Sequence, residues 1–168
     1  MKTVAIIPAR GGSEGIPRKN VRLLAGKPLI AHTIGTATQA SNVNRVVVST
    51  DDDEISAISR QWGAEVILRP AKISTDISSS ELALLHALEH LHENEGYSPD
   101  LLVFLQCTSP LTLPEDIDGT VQALLDQEAD SSLAVTPFHY FLWRWDLNGD
   151  AIGVNHDKRV RPLRQERD

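Results

Sequence analysis

The sequence predicts a three-layer α/β fold with a mostly parallel central sheet. Apolar, β-branched runs at 4–7, 46–48 and 101–105 alternate with segments whose apolar residues recur at helical spacing, the pattern of strands flanked by helices. No internal repeat or low-complexity linker breaks that alternation along the 168 residues. The first run opens into a loop that carries Gly11, Gly12 and Gly15 beside Arg10, Arg18, Lys19 and Arg22. Such a loop offers backbone N–H groups and cations to phosphate.

Each element follows from local chemistry. Pro28 suits the first turn of a helix whose Leu29, Ile30, Ile34 and Ala37 share a face. Residues 45–50 read as a buried strand, a valine run that ends in Ser49, Thr50 and Asp51. Asp51, Asp52 and Asp53 place negative charge where the next helix begins; Ile55, Ile58, Ser59 and Trp62 mark its inner face and Gly63 ends it. Residues 65–68 form the next strand, followed by a loop to Asp76. Ser78, Ser79 and Ser80 with Glu81 cap a long helix through Glu93. Residues 101–105 are expected as a central strand, 114–127 as a helix with Ile117, Val121, Leu124 and Leu125 inside, and 131–136 as another strand. From Phe138 the composition turns aromatic, and Asn148, Gly149 and Asp150 predict the turn of a hairpin. Residues 157–168 are strongly charged and expected to be exposed.

With 41% hydrophobic content, 168 residues suffice for one sizeable core, and a single domain over 1–168 is expected. A net charge of −7 argues against nucleic acid and anionic membranes as partners, because both need broad basic surfaces. Cys107 is the one cysteine, so no internal disulfide forms and a reducing compartment fits. The opening apolar run is too short for a signal peptide or a membrane span. The expected location is the cytoplasm.

Ligands of open α/β sheets lie beyond the carboxyl ends of the strands. Four loops, 10–20, 49–53, 69–80 and 106–112, each follow a predicted strand and converge there. The first has neither the Lys-Ser/Thr ending of a Walker A loop nor Gly-x-Gly-x-x-Gly. Two competing chemistries lose on position. His86, Glu89 and His90 match the His-x-x-Glu-His zinc pattern, yet helical projection puts Leu84, Leu88 and Leu91 on the buried stripe and these three toward solvent. Cys107 has no histidine predicted beside it and reads as packing rather than nucleophile.

Residues 9–20 run Ala-Arg-Gly-Gly-Ser-Glu-Gly-Ile-Pro-Arg-Lys-Asn. This string resembles the opening motif of the CMP-sialic acid synthetases (acylneuraminate cytidylyltransferases), Ala-Arg-x-x-Ser-Lys-Gly-hydrophobic-Pro-x-Lys-Asn, with Glu14 in place of the family's lysine. The resemblance continues through Arg69-Pro70, Asp76, Ser79 and Ser80, then through Leu105-Gln106-Cys107-Thr108-Ser109-Pro110-Leu111-Thr112. There Cys107 replaces a proline and Thr112 an arginine.

The resemblance implies a Rossmann-like nucleotidyltransferase that transfers CMP from CTP to a sialic-acid-like nonulosonate and releases pyrophosphate. Arg10 and Lys19 are the expected catalytic residues. Nucleotide binding falls to Arg10, Gly11, Gly12, Ser13, Asn20, Arg69, Ser79 and Ser80, and contact with the acidic nine-carbon sugar to Gln106, Thr108 and Ser109. It also implies Mg²⁺ and a homodimer. The family's Asp pair for magnesium lies in a C-terminal portion that this chain is expected to lack, so no metal ligand is assigned within 1–168. Two alternatives stand beside it. One is a truncated or non-catalytic CTP-binding domain or assembly partner; the other is a cytidylyltransferase for another acidic sugar.

Overall fold

The computed structural model describes residues 1–12, 15–75, 78–136 and 140–160. They fall in two compact units, Met1–Ala134 and Val135–Asp168. In the first, four parallel strands lie in the order β5, β4, β1, β6: β1 is Thr3–Pro8, β4 Arg45–Thr50, β5 Glu65–Leu68 and β6 Leu101–Phe104. A two-residue ladder, β2 (Leu23–Leu24) with β3 (Lys27–Pro28), follows the glycine-bearing loop. Helices α1 (Leu29–Gln39), α2 (Asp53–Gln61), α3 (Ser80–Glu95) and α4 (Pro114–Asp126) make the connections.

Side-chain alternation along β1 and β4 explains the three layers, because a strand covered on both faces must be apolar at every position. Ala5, Ile7, Val46 and Val48 pack with Ile30, Ile34, Ala37 and Ile55 of α1 and α2. Val4, Ile6 and Val47 pack on the opposite face with Leu84, Ala87 and Leu91 of α3. Caps fix the helix starts. Asp52 accepts a bond from the Ile55 amide at 2.9 Å and caps α2; Asp116 accepts from the Leu113 amide at 2.8 Å, just before Pro114 opens α4. Gly63, one residue beyond the end of α2, and Gly96, directly after α3, take left-handed φ of 89° and 61°, where a Cβ would be strained.

Four expectations change. The 101–105 segment is not central: β6 pairs with β1 alone among the described residues, and Leu102 and Phe104 are partly exposed. Residues 131–136 form no strand; 131–134 line a groove with β6 without laddering to it, and Leu133 and Val135 are exposed. A β-prone segment with no partner strand leaves its ladder bonds unmade. On α3, His86 is half-buried rather than solvated and its Nδ1 has no hydrogen-bond partner, while Leu88 packs at the core margin. On α4, Leu125 is exposed.

In the second unit, β7 (Trp143–Trp145) and β8 (Ala151–Gly153) pair antiparallel as the expected hairpin. Gly149 supplies the positive φ of its turn, at 82°. The rings of Phe141 and Trp143 meet His156 edge-on, with centroids 4.6 and 4.7 Å away. No helix among the described residues is long and apolar enough to cross a membrane.

Candidate active site

Loops after β1, β5 and β6 leave the sheet at the same end, because all three strands run parallel. They enclose a cleft of about 410 Å³. Into it the fold brings Arg10, Lys19 and Asn20 from the first loop, Arg69, Ser79 and Ser80 from the second, and Gln106 and Thr108 from the third. These eight positions lie from 10 to 108 in sequence, so only parallel order assembles them. Gly11 and Gly12 stand on the loop without lining the cleft, and Ser109 lines a different groove, between β6, α4 and residues 131–134. Ser13, Glu14 and Asp76 lie outside the described residues.

The glycine-bearing loop is tied at both described ends. Asn20 is buried and its Nδ2 donates to the Arg10 carbonyl at 3.0 Å, which closes the loop on itself. The Gly11 amide donates to Asp51 Oδ1 at 3.1 Å. A Cβ on Gly11 would stand 2.6 Å from Asp52 Oδ2, an oxygen held by Arg18 while its twin caps α2. Gly11→Ala is therefore expected to destabilise by about 1–3 kcal/mol through overpacking. Thermal unfolding checks this at roughly 2–4 °C per kcal/mol.

Electrostatics separate the cations of this segment. Arg18 was expected among the phosphate-facing charges; instead its guanidinium pairs with Asp52 and Glu54 and does not line the cleft. Arg22 is exposed and also lies off the cleft. Arg69 differs: its side chain is only 6% exposed, its Nε has no hydrogen-bond partner, and Asp51 stands 3.9 Å from its other end. Burial lowers its affinity for the proton, Asp51 opposes that, and nearby Arg10 adds to it. Arg69 thus holds a buried charge at the cleft wall with Asp51 as its nearest described carboxylate.

Gly15, Ser78 and Cys107 line the cleft from within the predicted loops, while Pro8 and Phe104 line it from the strands and were missed by sequence reasoning. Phe104 was legible in principle, since it precedes Gln106 at a strand end. Burial pushes the Cys107 thiol up to about 11, with Thr33 and Lys19 pulling the other way. The unfolded thiol, near 9.0, sheds its proton first, so its contribution to stability falls as pH rises from 9.0 to about 11. Native Cys107 is accordingly expected to resist iodoacetamide at about pH 8 and to react on unfolding, since the thiolate is the nucleophile; rapid alkylation of the folded protein would contradict its burial.

The described lining of this cleft fits a metal poorly. Among the described residues no three His, Cys, Asp or Glu side chains gather as a metal site, and no carboxylate lines the cleft. Its oxygen donors are serine, threonine and amide groups, which magnesium does not take as a dedicated protein cage.

A parallel sheet with Arg10, Lys19 and Arg69 around a cleft at its strand ends defines an α/β protein of the class that binds ligands beyond the carboxyl ends of its strands. Residues 4–158 match the family model of the cytidylyltransferases, and the chain belongs to that family. It is 37% identical to N-acylneuraminate cytidylyltransferase A of Danio rerio over 165 residues, which is 96% of this chain and 37% of that protein. It is 43% identical to the CMP-N,N'-diacetyllegionaminic acid synthase of Legionella pneumophila over 123 residues, 73% of this chain and 53% of that one. The solved CMP:2-keto-3-deoxy-manno-octonic acid synthetase complexed with CTP superposes with a TM-score of 0.63 at 30% identity, covering 77% of this chain and 49% of that chain. The chain thus spans roughly 37 to 53% of these relatives' length.

Proposed function

We propose that the cleft binds CTP and that the chain transfers CMP to the anomeric hydroxyl of a sialic-acid-like nonulosonate. The observation that carries this reading is the convergence of Arg10, Lys19 and buried Arg69 on one cleft at the strand ends. Its relatives, named as acylneuraminate and legionaminic acid enzymes, support the sugar class.

In this reading the sugar oxygen forms a bond to the α-phosphorus, the bond from that phosphorus to the bridging oxygen breaks, and pyrophosphate leaves. Among the described residues no carboxylate or imidazole lines the cleft, so in this reading the hydroxyl proton passes to water. Catalysis is then positioning and charge stabilisation, the usual demand of phosphoryl transfer. Arg10 and Lys19 stabilise charge on the transferring phosphate; Asn20, Arg69, Ser79 and Ser80 hold the nucleotide; Gln106 and Thr108 meet the acidic sugar. Magnesium, implied by the family resemblance, receives no step because the donors do not fit it. The reading extends to a cytoplasmic homodimer, for which the exposed Trp143, Trp145 and Leu147 offer apolar surface.

One observation favours a second reading. A cleft with no carboxylate among its described lining residues suits a CTP-binding unit that does not turn over. Pyrophosphate release from CTP with N-acetylneuraminate decides between them: release that depends on both substrates supports transfer, and CTP binding without release supports the binding unit.

A further inference from the structure

Arg18 occupies a place that an arginine has no intrinsic reason to hold. Its backbone is left-handed, φ 56° and ψ 28°, a conformation that favours glycine or asparagine. It sits immediately before Lys19 and Asn20, and its carbonyl accepts the Val21 amide at 3.1 Å, starting the short 3-10 helix Lys19–Val21. That turn sends Lys19 and Asn20 to the cleft while Arg18 points away from it.

The guanidinium is forked between two carboxylates. One nitrogen meets Asp52 Oδ2; the other meets Glu54 and lies 3.1 Å from Asp52 Oδ1. Such planar, two-pronged pairing specifies a geometry that a point charge would not. Asp52 is itself fixed as the cap of α2, so the anchor is rigid. The same corner receives the other end of the loop, because Asp51 accepts the Gly11 amide and Gly11 lies directly against Asp52. One acidic helix start therefore clamps both described ends of the glycine-bearing loop.

We propose that Arg18 is a positioning residue: through Asp52 and Glu54 it holds the loop in the conformation that aims Lys19 and Asn20 into the cleft for CTP. This rests on the CTP reading above. Arg18 touches no nucleotide; its charge is spent on the protein. Glu54 is the discriminating partner because, among the described residues, its side chain pairs with Arg18 and lines neither the cleft nor the groove beside β6, so its loss acts through Arg18.

Calorimetric titration of CTP into the whole chain tests the role, with Arg18→Ala, Glu54→Ala, the double variant and Arg18→Lys. Arg18→Ala and Glu54→Ala are each expected to raise the Kd for CTP about tenfold, with the double variant no worse than Arg18→Ala because the two act as one unit. Arg18→Lys should recover part of the affinity. Amide exchange at Lys19, Val21 and Arg22 without nucleotide should accelerate in the same variants, an independent readout of loop order. An unchanged or tighter Kd in Glu54→Ala would overturn the role, since freeing a cation that met phosphate directly would strengthen binding. A shift in melting temperature with no change in Kd would reduce the fork to a structural contact and overturn it equally. If the wild-type chain binds no CTP, the nucleotide reading itself falls and the role falls with it.

Discussion

Lys19→Ala is expected to lower pyrophosphate release by about a hundred- to a thousandfold, the loss seen when one preorganised donor to a transition state is removed. Lys19 is half-buried in the cleft wall, one residue from buried Asn20, so its ammonium is delivered by fixed backbone rather than by a free chain. The charge it would meet grows at the α-phosphate as the sugar attacks, which places the loss mainly in turnover. Arg22→Ala is the matched control. That cation belongs to the same segment but lies off the cleft, and its replacement should leave release within about twofold, as expected for an exposed charge. Equal losses in both variants would mean that general basicity, and not this geometry, supports the reaction.

Arg69→Met is expected to move affinity and stability in opposite directions. Methionine fills a similar volume without a buried charge, and such replacements are often neutral to about 4 kcal/mol more stable. Asp51 tolerates the change because it is partly exposed and keeps the Gly11 amide as a donor. CTP affinity should fall about a hundredfold, because a desolvated cation facing phosphate contributes roughly 2–5 kcal/mol. Binding sites routinely hold such destabilising groups. Urea unfolding beside CTP titration separates the two effects. A variant that loses stability along with affinity would show that Arg69 is a structural cation satisfied by Asp51.

Where the sequence proved legible, the reason is local. The runs 4–7 of β1 and 46–48 of β4 pack alternately against helices on both faces, so an uninterrupted apolar run announces a strand covered on both sides. The parallel order that follows sends the loops bearing Arg10, Arg69 and Gln106 to one rim without further information. In 101–105 the same signal misleads, since an apolar run does not report how many neighbours a strand has, and β6 has one. Residues 131–136 carry β-prone side chains, but a ladder needs a partner that lies elsewhere in the chain. Arg18 is the clearest case. Its charge is visible in the sequence, yet whether a cation meets phosphate or carboxylate depends on the start of α2, which folding brings against it from more than thirty residues away.

The central claim is that the cations at the strand ends form a seat for a triphosphate, and a crystal structure with CTP measures it most directly. The account predicts triphosphate density between the 10–20 loop and Ser79 and Ser80, within contact of Arg10, Lys19 and Arg69. Density in the groove beside β6, with the cleft filled only by water, would contradict it.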